Sequence, residues 1–413
     1  MSQRVRRLAD WDTSRLTGLA NTNGTPLYVQ DLERVRENYD RFASAFSDAE
    51  VHYAAKANTA WTVLRTLEAC GAGVECASAG EVERALDAGF PPEQVQYTAV
   101  NPPEEDLDLA IATGRRDPAF TITVGARDTV DRLDERGYWG RICVRVNPGI
   151  GAGHHEKVRT GADAKFGVPY DRAEAVVADA AERGFDVVGL HAHVGSGVSG
   201  EELESHRELV SRMGELARSV PVELEFVDVG GGFGVPYRES EEPIDLAAVA
   251  EATREALGEV DATLVVEPGR YLVADAGVLL TRVNTVKPIE GEVIVGVDAG
   301  MTTLARPALY DAYHEIASLA PDAEARETVS ATVTGPICES ADVLGEGRDL
   351  PRPERGDLLA IGNAGAYGYE MASQYNSRPR PATVAIDGSE GAIDRRRETT
   401  TDVTRLEREV SWL

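Results

Sequence analysis

A chain of 413 residues with 42 basic against 70 acidic side chains carries a formal charge of −28. That balance excludes the basic face that nucleic-acid binding needs, and the 42% of apolar residues, spread along the whole length, excludes an acidic disordered tail. No apolar stretch approaches the roughly 20 residues of a membrane span, and the basic opening MSQRVRRLADWD lacks the apolar core of a signal peptide, so a cytoplasmic protein without membrane partners is expected.

In chain order, residues 25–30 (TPLYVQ) read as a strand ahead of a first helix at 31–46, and either domain could receive that strand. Apolar, β-branched runs then recur at 51–56 (VHYAAK), 73–78 (GVECAS), 95–99 (VQYTA), 120–125 (FTITVG) and 141–147 (RICVRVN). The beat continues at 186–193 (DVVGLHAH), 223–229 (ELEFVDV) and 263–267 (TLVVE). Stretches of helical periodicity separate them, such as 61–69, 81–88 and 201–217. Eight strands alternating with helices predict an α/β fold, a (β/α)8 TIM-like barrel, with a doubly wound sheet as the alternative. After Gly269 the runs 271–288, 293–298, 328–334 and 383–387 lack regular intervening helices, which predicts a mostly antiparallel C-terminal β domain. The expected division is 31–270 for the barrel and 271–413 for the β domain, joined by residues 1–30. At the end, Val403, Leu406, Val410 and Leu413 are spaced as a short amphipathic helix over 401–413.

Only Lys56, Lys157, Lys165 and Lys287 are lysines, against 38 arginines. Hyperthermophile surfaces favour Lys and Glu, so this pattern points elsewhere. A large acidic excess suits concentrated salt, where self-repulsion is screened; a GC-rich genome would also favour Arg. Cys70, Cys76, Cys143 and Cys338 form no CxxC pair and no metal-ligand spacing. The first three sit in or beside apolar runs and read as small buried hydrophobes.

Several motifs fail on inspection. No lysine precedes Ser or Thr, so there is no P-loop. His155-Glu156 would need a histidine where Arg159 stands, and Gly230–Gly234 fits no GxGxxG frame. The adjacent His154 and His155 lack a third ligand, and no metal is expected.

Other residues survive. A barrel does its chemistry at the C-terminal ends of its strands and often binds phosphate after the seventh and eighth. Gly230-Gly231-Gly232 ends the seventh strand, and Glu267-Pro268-Gly269-Arg270 ends the eighth. Successive glycines let backbone N–H groups close on an anion, and Arg270 adds charge-assisted hydrogen bonds; taken alone, the glycines would read as a tight turn. Lys56 closes the first strand among small residues, where burying a lysine is costly. It could be a strand-end lysine reaching for water. An amine against apolar walls, however, has a lowered pKa and attacks carbonyls. A lysine and a phosphate cradle in one barrel mouth suit pyridoxal 5'-phosphate (PLP), whose aldehyde and phosphate need those two groups.

Seven segments in order, YAAKAN, HAHVGSG, DVGGGFGVPY, EPGRYLV, RPALYDAYHEI, GPICESAD and GAYGYEMASQYNSR, resemble the diaminopimelate decarboxylases. These belong to the alanine-racemase-like, PLP-dependent family built from a barrel and a C-terminal β domain. The resemblance runs over roughly residues 25–400 and implies a role for each matching position. Lys56 would carry the cofactor, His193 stack on its ring, and Ser196, Gly232, Gly269 and Arg270 hold its phosphate. Glu267 would face the pyridine nitrogen and keep it protonated, and Tyr367 would reach phosphate and substrate. Arg270, Arg306 and Tyr310 would hold the carboxylate at the far end of the substrate, with Glu339 near its amine. Without the resemblance, His193 would read as a core histidine, Arg306 as a surface charge and Tyr367 as a buried loop aromatic. Cys338 would return a proton to the product carbon from a loop that enters the other subunit's site, so a homodimer is implied. Relatives often carry Asp at Glu75 and Met-Asn-Asp where this chain has Met301-Thr302-Thr303. The expected activity is decarboxylation of meso-2,6-diaminopimelate to L-lysine and CO2. The alternatives are a decarboxylase of ornithine, arginine or carboxynorspermidine, a racemase, and a catalytically silent regulatory homologue.

Overall fold

The structure is a computed structural model that describes residues 5–150, 165–193, 195, 202–289, 291–410 and 412. The chain folds into two compact units, one of Val35–Val235 with Ile244–Leu272, the other of the chain up to Arg34 with Pro236–Pro243 and the chain from Val273. Pro236–Pro243 thus lies inside the 31–270 span expected for the barrel yet belongs to the second unit. Among the described residues, no helix is long and apolar enough to cross a membrane.

Strand β1 (Leu27–Asp31) belongs to the second unit. In the first unit β2 (Ala49–Ala54), β3 (Gly73–Cys76), β4 (Val95–Tyr97), β5 (Thr121–Val124), β6 (Arg141–Asn147), the two-residue β7 (Val168–Pro169), β8 (Asp186–His191), β9 (Phe226–Asp228) and β10 (Thr263–Val266) are all parallel. Their order is β5-β4-β3-β2-β10-β9-β8-β6, and a β5–β6 pairing closes the ring, with β7 appended to β6. This is a closed eight-stranded (β/α)8 barrel. Parallel strands are covered on both faces, and every residue of β3 and β5 is buried, Glu75 among them.

The helices follow from equally local causes. Residues Ala79–Ala88 start where the Ser78 side chain accepts from Glu81 N and stop at Gly89, whose φ of +100° suits only glycine. The helix Trp61–Ala69 buries Val63, Leu64 and Leu67. Phe233, directly after the glycine run, packs edge-on against Phe42 at 4.7 Å and Phe46 at 5.5 Å, which anchors that turn in an aromatic cluster.

In the second unit β1 pairs antiparallel with β11 (Gly277–Ile289) and parallel with β17 (Ala382–Asp387). Strands β12 (Glu292–Val297), β13 (Ile316–Ser318), β14 (Thr328–Thr334), β15 (Val343–Pro351), β16 (Leu358–Ile361) and β18 (Glu390–Arg395) complete a mixed, mostly antiparallel sheet. Alternation along the strands feeds two cores: Tyr28 and Leu279 join Val295 and Val333, while Leu27, Val29, Val278 and Leu280 join Leu8, Trp11 and Leu16.

Two expectations are corrected. The strand expected from residue 271 starts at Gly277, because Arg270–Val273 form a helical turn. The expected C-terminal helix is only Thr400–Thr404; of its expected apolar stripe, Leu406 is 77% and Val410 36% exposed, so the helix has little to bury and is not extended.

Candidate active site

Lys56 sits in a tight turn, Ala55–Ala57, one step past the end of β2. The turn is pinned by Tyr53, whose hydroxyl donates to Asn58 O at 2.8 Å, and by the Asn58 side chain accepting from Ala60 N at 3.0 Å. Ala54, Ala55 and Ala57 are buried, so Lys56 is the long side chain of the turn. It is 40% exposed, less buried than the sequence suggested, and its Nζ donates to Glu75 Oε2 at 2.5 Å. Glu75, at the end of β3, is 3% exposed. The Glu75 carboxylate therefore reaches the lysine directly.

Glu267 follows β10 immediately and is buried; Asp228 ends β9 and His191 ends β8, both equally buried. His191 Nε2 lies 3.3 Å from Glu267 Oε2, and Asp228 Oδ1 accepts from Gly230 N at 2.8 Å. Glu267 Oε1 and Asp228 Oδ2 have no partner. The donor atoms of all three residues lie within 4.8 Å of one another. Two carboxylates that close in a dry site cannot both ionise. Burial, then the charge of Glu267, pushes the Asp228 carboxyl well above its usual range. Burial alone would raise Glu267 as well, but His191 and Lys56 outweigh it and hold Glu267 below the usual carboxylate range. Glu267 carries the charge and Asp228 the proton.

His193 is half-buried just beyond β8, and its Nδ1 accepts from Gly231 N at 3.0 Å. Burial and the nearby Lys56 ammonium push its pKa down to about 3, so the ring is neutral. Gly230 and Gly232 adopt φ of +73° and +105°, which L side chains disfavour. A Cβ on Gly231 would stand 2.3 Å from the Glu267 carbonyl oxygen, and one on Gly269 would stand 3.1 Å from Ala54 Cβ. Glycine at these positions lets the ends of β9, β10 and β2 approach to backbone distance. Gly231→Ala is expected to cost about 1–3 kcal/mol of stability, read as a lowered melting temperature in calorimetry. An unchanged melt would mean that the turn opens freely.

These groups fit PLP. Glu267 offers a buried anionic oxygen with no partner, which a ring N–H would satisfy. Gly230 N and Gly231 N already donate to Asp228 and His193, so those bonds shape the turn, and Gly232 brings backbone without a Cβ to the place where a phosphate would sit. His191, Asp228 and Glu267 are also of metal-ligating type, but the contact between His191 and Glu267 already joins two of the three.

The barrel thus gathers Lys56, His193, Gly232, Glu267, Gly269 and, heading its short helix, Arg270. Ser196 lies outside the described residues, as do His154 and His155. Arg306, Tyr310, Cys338, Glu339 and Tyr367 belong to the second unit. There Arg306 is buried at the start of the helix Arg306–Tyr310, and Tyr310 is half-buried at its end. Tyr367 holds a φ of +54°, a strained backbone that a non-glycine residue adopts only under external constraint. Cys338 and Glu339 are exposed, and the Cys338 thiol donates to Asn376 Oδ1 at 3.4 Å. Asp342 accepts from Met301 N at 2.6 Å and Ile337 N at 3.0 Å, tying the Met301-Thr302-Thr303 turn to the cysteine loop. Of the other cysteines, Cys76 and Cys143 are buried and Cys70 is half-buried.

Sequence reasoning missed Arg145, His191, Asp228 and Asp342. Each of the first three is a charged or titratable residue inside an otherwise apolar barrel strand, and that interruption is the signal that could have found them. Arg145 is 8% exposed on β6, with its guanidinium over the Phe166 ring at 5.2 Å.

A barrel whose mouth joins a lysine, a buried carboxylate and a glycine cradle is the architecture of a PLP enzyme. The pyridoxal-binding domain of the pyridoxal-dependent decarboxylases matches residues 32–274, and the chain belongs to that family. Its relatives include the diaminopimelate decarboxylase of Methanothermobacter thermautotrophicus, 44% identical over 94% of this chain and 92% of the relative. Among solved structures, diaminopimelate decarboxylase from Helicobacter pylori complexed with L-lysine is 34% identical with a TM-score of 0.87, covering 95% of this chain and 98% of that one. The corresponding M. jannaschii enzyme in co-complex with L-lysine is 30% identical, also with a TM-score of 0.87, over 100% and 98% of the two chains.

Proposed function

We propose that the chain removes one carboxylate of meso-2,6-diaminopimelate and releases CO2 and L-lysine, the last step of lysine biosynthesis by the diaminopimelate route. The observation that carries this reading is Glu267: a buried, ionised carboxylate with one unpartnered oxygen, in the barrel mouth that also holds Lys56. When bound, PLP supplies the electron sink that accepts the pair released as the bond to the departing carboxylate breaks.

The chain's own residues do the rest. Lys56 carries the cofactor, and Glu75 holds its Nζ in place. Anionic Glu267 keeps the ring nitrogen protonated, with Asp228 kept neutral so that the site holds one negative charge and not two. Neutral His193 presents a flat face to the ring. Gly232, Gly269, Arg270 and Ser196 hold the phosphate, and Tyr367 reaches both phosphate and substrate. Arg270, Arg306 and Tyr310 take the far carboxylate in charge-assisted hydrogen bonds, and Glu339 takes the far amine. Cys338 gives its proton to the carbon that lost CO2, so a C–H bond replaces the C–C bond. The exposure of Cys338 and Glu339 on one chain supports a homodimer in which this loop completes the partner's site.

Purified protein with PLP should release CO2 and L-lysine from diaminopimelate. It should leave ornithine and arginine untouched, because a cationic far end would want an acid where Arg306 stands. CO2 from ornithine or arginine, and none from diaminopimelate, would overturn the reading.

The charge of −28 also supports a protein adapted to concentrated salt. Repulsion reaches about 10 Å at 0.1 M ionic strength and about 3 Å at 1 M. Melting temperature and activity are therefore expected to rise together as KCl is raised, followed by calorimetry and CO2 release. Full activity and an unchanged melt in dilute buffer would leave base composition as the source of the acidity.

A further inference from the structure

The segment Pro236–Pro243 brings Tyr237 to Arg306 within the second unit. Arg306 is 8% exposed, and its Nη1 donates twice, to Tyr237 Oη at 3.0 Å and to His314 Nε2 at 2.8 Å. His314 is fully buried, and its Nδ1 lies 2.8 Å from the carbonyl oxygen of Gly362. A carbonyl oxygen only accepts, so Nδ1 carries the imidazole proton. Nε2 is left with a lone pair, the group an arginine N–H requires. The backbone at Gly362 therefore selects the tautomer that can hold Arg306. The three side chains also pack on one another: the guanidinium carbon is 4.9 Å from the Tyr237 ring centroid, and the Tyr237 and His314 rings meet edge to face at 5.4 Å.

We propose that His314 and Tyr237 are positioning residues that fix Arg306 for recognition of the carboxylate at the far end of the substrate. This rests on the reading of Arg306 given above. Both acceptors occupy Nη1 hydrogens without bringing a negative charge, so they set the orientation of the guanidinium without neutralising it themselves. A guanidinium released from these contacts would lose the fixed geometry that a bidentate pair depends on.

The far carboxylate is present before, during and after the reaction, so contacts to it bind ground state and transition state alike and appear in KM more than in kcat. His314→Leu removes the acceptor and is expected to raise KM for diaminopimelate by about 10- to 100-fold, the range of a hydrogen bond to a charged group, with kcat within about threefold. His314→Gln keeps an acceptor in reach of Arg306 and should recover most of that loss. Tyr237→Phe keeps the ring and removes only the hydroxyl acceptor. It should raise KM by a smaller factor, and it serves as the test should His314→Leu fail to fold.

The decisive readout compares two inhibitors of the holoenzyme. L-Lysine carries the far carboxylate, and 1,5-diaminopentane has the same chain without it. In His314→Leu and Tyr237→Phe, inhibition by L-lysine should weaken by the same factor as KM rises, and inhibition by 1,5-diaminopentane should stay as in wild type. Equal weakening of both inhibitors, or a loss confined to kcat, would overturn the proposal by showing a structural role. If wild type decarboxylates diaminopimelate and neither variant shifts KM or L-lysine inhibition, the proposal falls while the proposed function stands. If wild type neither turns over diaminopimelate nor is inhibited by L-lysine, both fall.

Discussion

Lys56→Ala is expected to lower decarboxylation by about three orders of magnitude or more, to abolish the absorption band of covalently held PLP, and to leave the barrel folded. The fold survives because the lysine side chain is 40% exposed, so shortening it opens no core cavity. Its removal leaves Glu75 buried without the ammonium it accepts from. Borohydride reduction of the wild-type holoenzyme followed by peptide mapping gives the complementary result. With only three other lysines in the chain, the labelled peptide identifies the residue without ambiguity. A label on Lys157, Lys165 or Lys287 would refute the assignment.

A second large effect is expected when two inactive chains are mixed. Cys338→Ala should remove the proton donor and Lys56→Ala the cofactor anchor, each silencing its own homodimer. If the cysteine loop completes the partner's site, a hybrid dimer holds one site with both groups and one with neither. Activity should then return toward half the wild-type value per hybrid. Averaging cannot produce it, because both parents are inactive. Differently tagged chains confirm that subunits have exchanged. Hybrids as inactive as their parents would mean that Cys338 serves the site of its own chain, or that no shared dimer exists.

What the sequence discloses and what it withholds have physical reasons. Barrel strands such as β6 and β8 were readable because parallel strands buried on both faces leave apolar runs at a regular spacing. The glycines at 230–232 were readable because close backbone approach tolerates no side chain. The charge state of Glu267 was not, since it depends on His191 and Asp228, which lie 76 and 39 positions away and meet it only once the ring closes. His314 escaped notice for the same reason: its role is set by the Gly362 carbonyl on one side and Arg306 on the other. The amphipathic spacing of 401–413 misled because a periodic pattern needs a surface to cover, and Leu406 and Val410 stay exposed. The excursion at Pro236–Pro243 reads as an ordinary polar loop, and no local signal marks the unit it joins.

The placement of β1 bears on how the protein is made. Leu27–Asp31 leaves the ribosome early, yet it lies between β11 and β17, and β17 ends only at Asp387. At about 5–20 residues per second, translation must run for tens of seconds before both edges of that strand are occupied. The barrel, whose last strand ends at Val266, has all its sequence much sooner. Until then the nascent chain presents an apolar strand with unpaired N–H and C=O groups on both sides, open to capture by a neighbouring chain on the same polysome. A late stop codon that removed β17 would prolong that exposure indefinitely, so such truncations should accumulate as aggregate even with every barrel residue present.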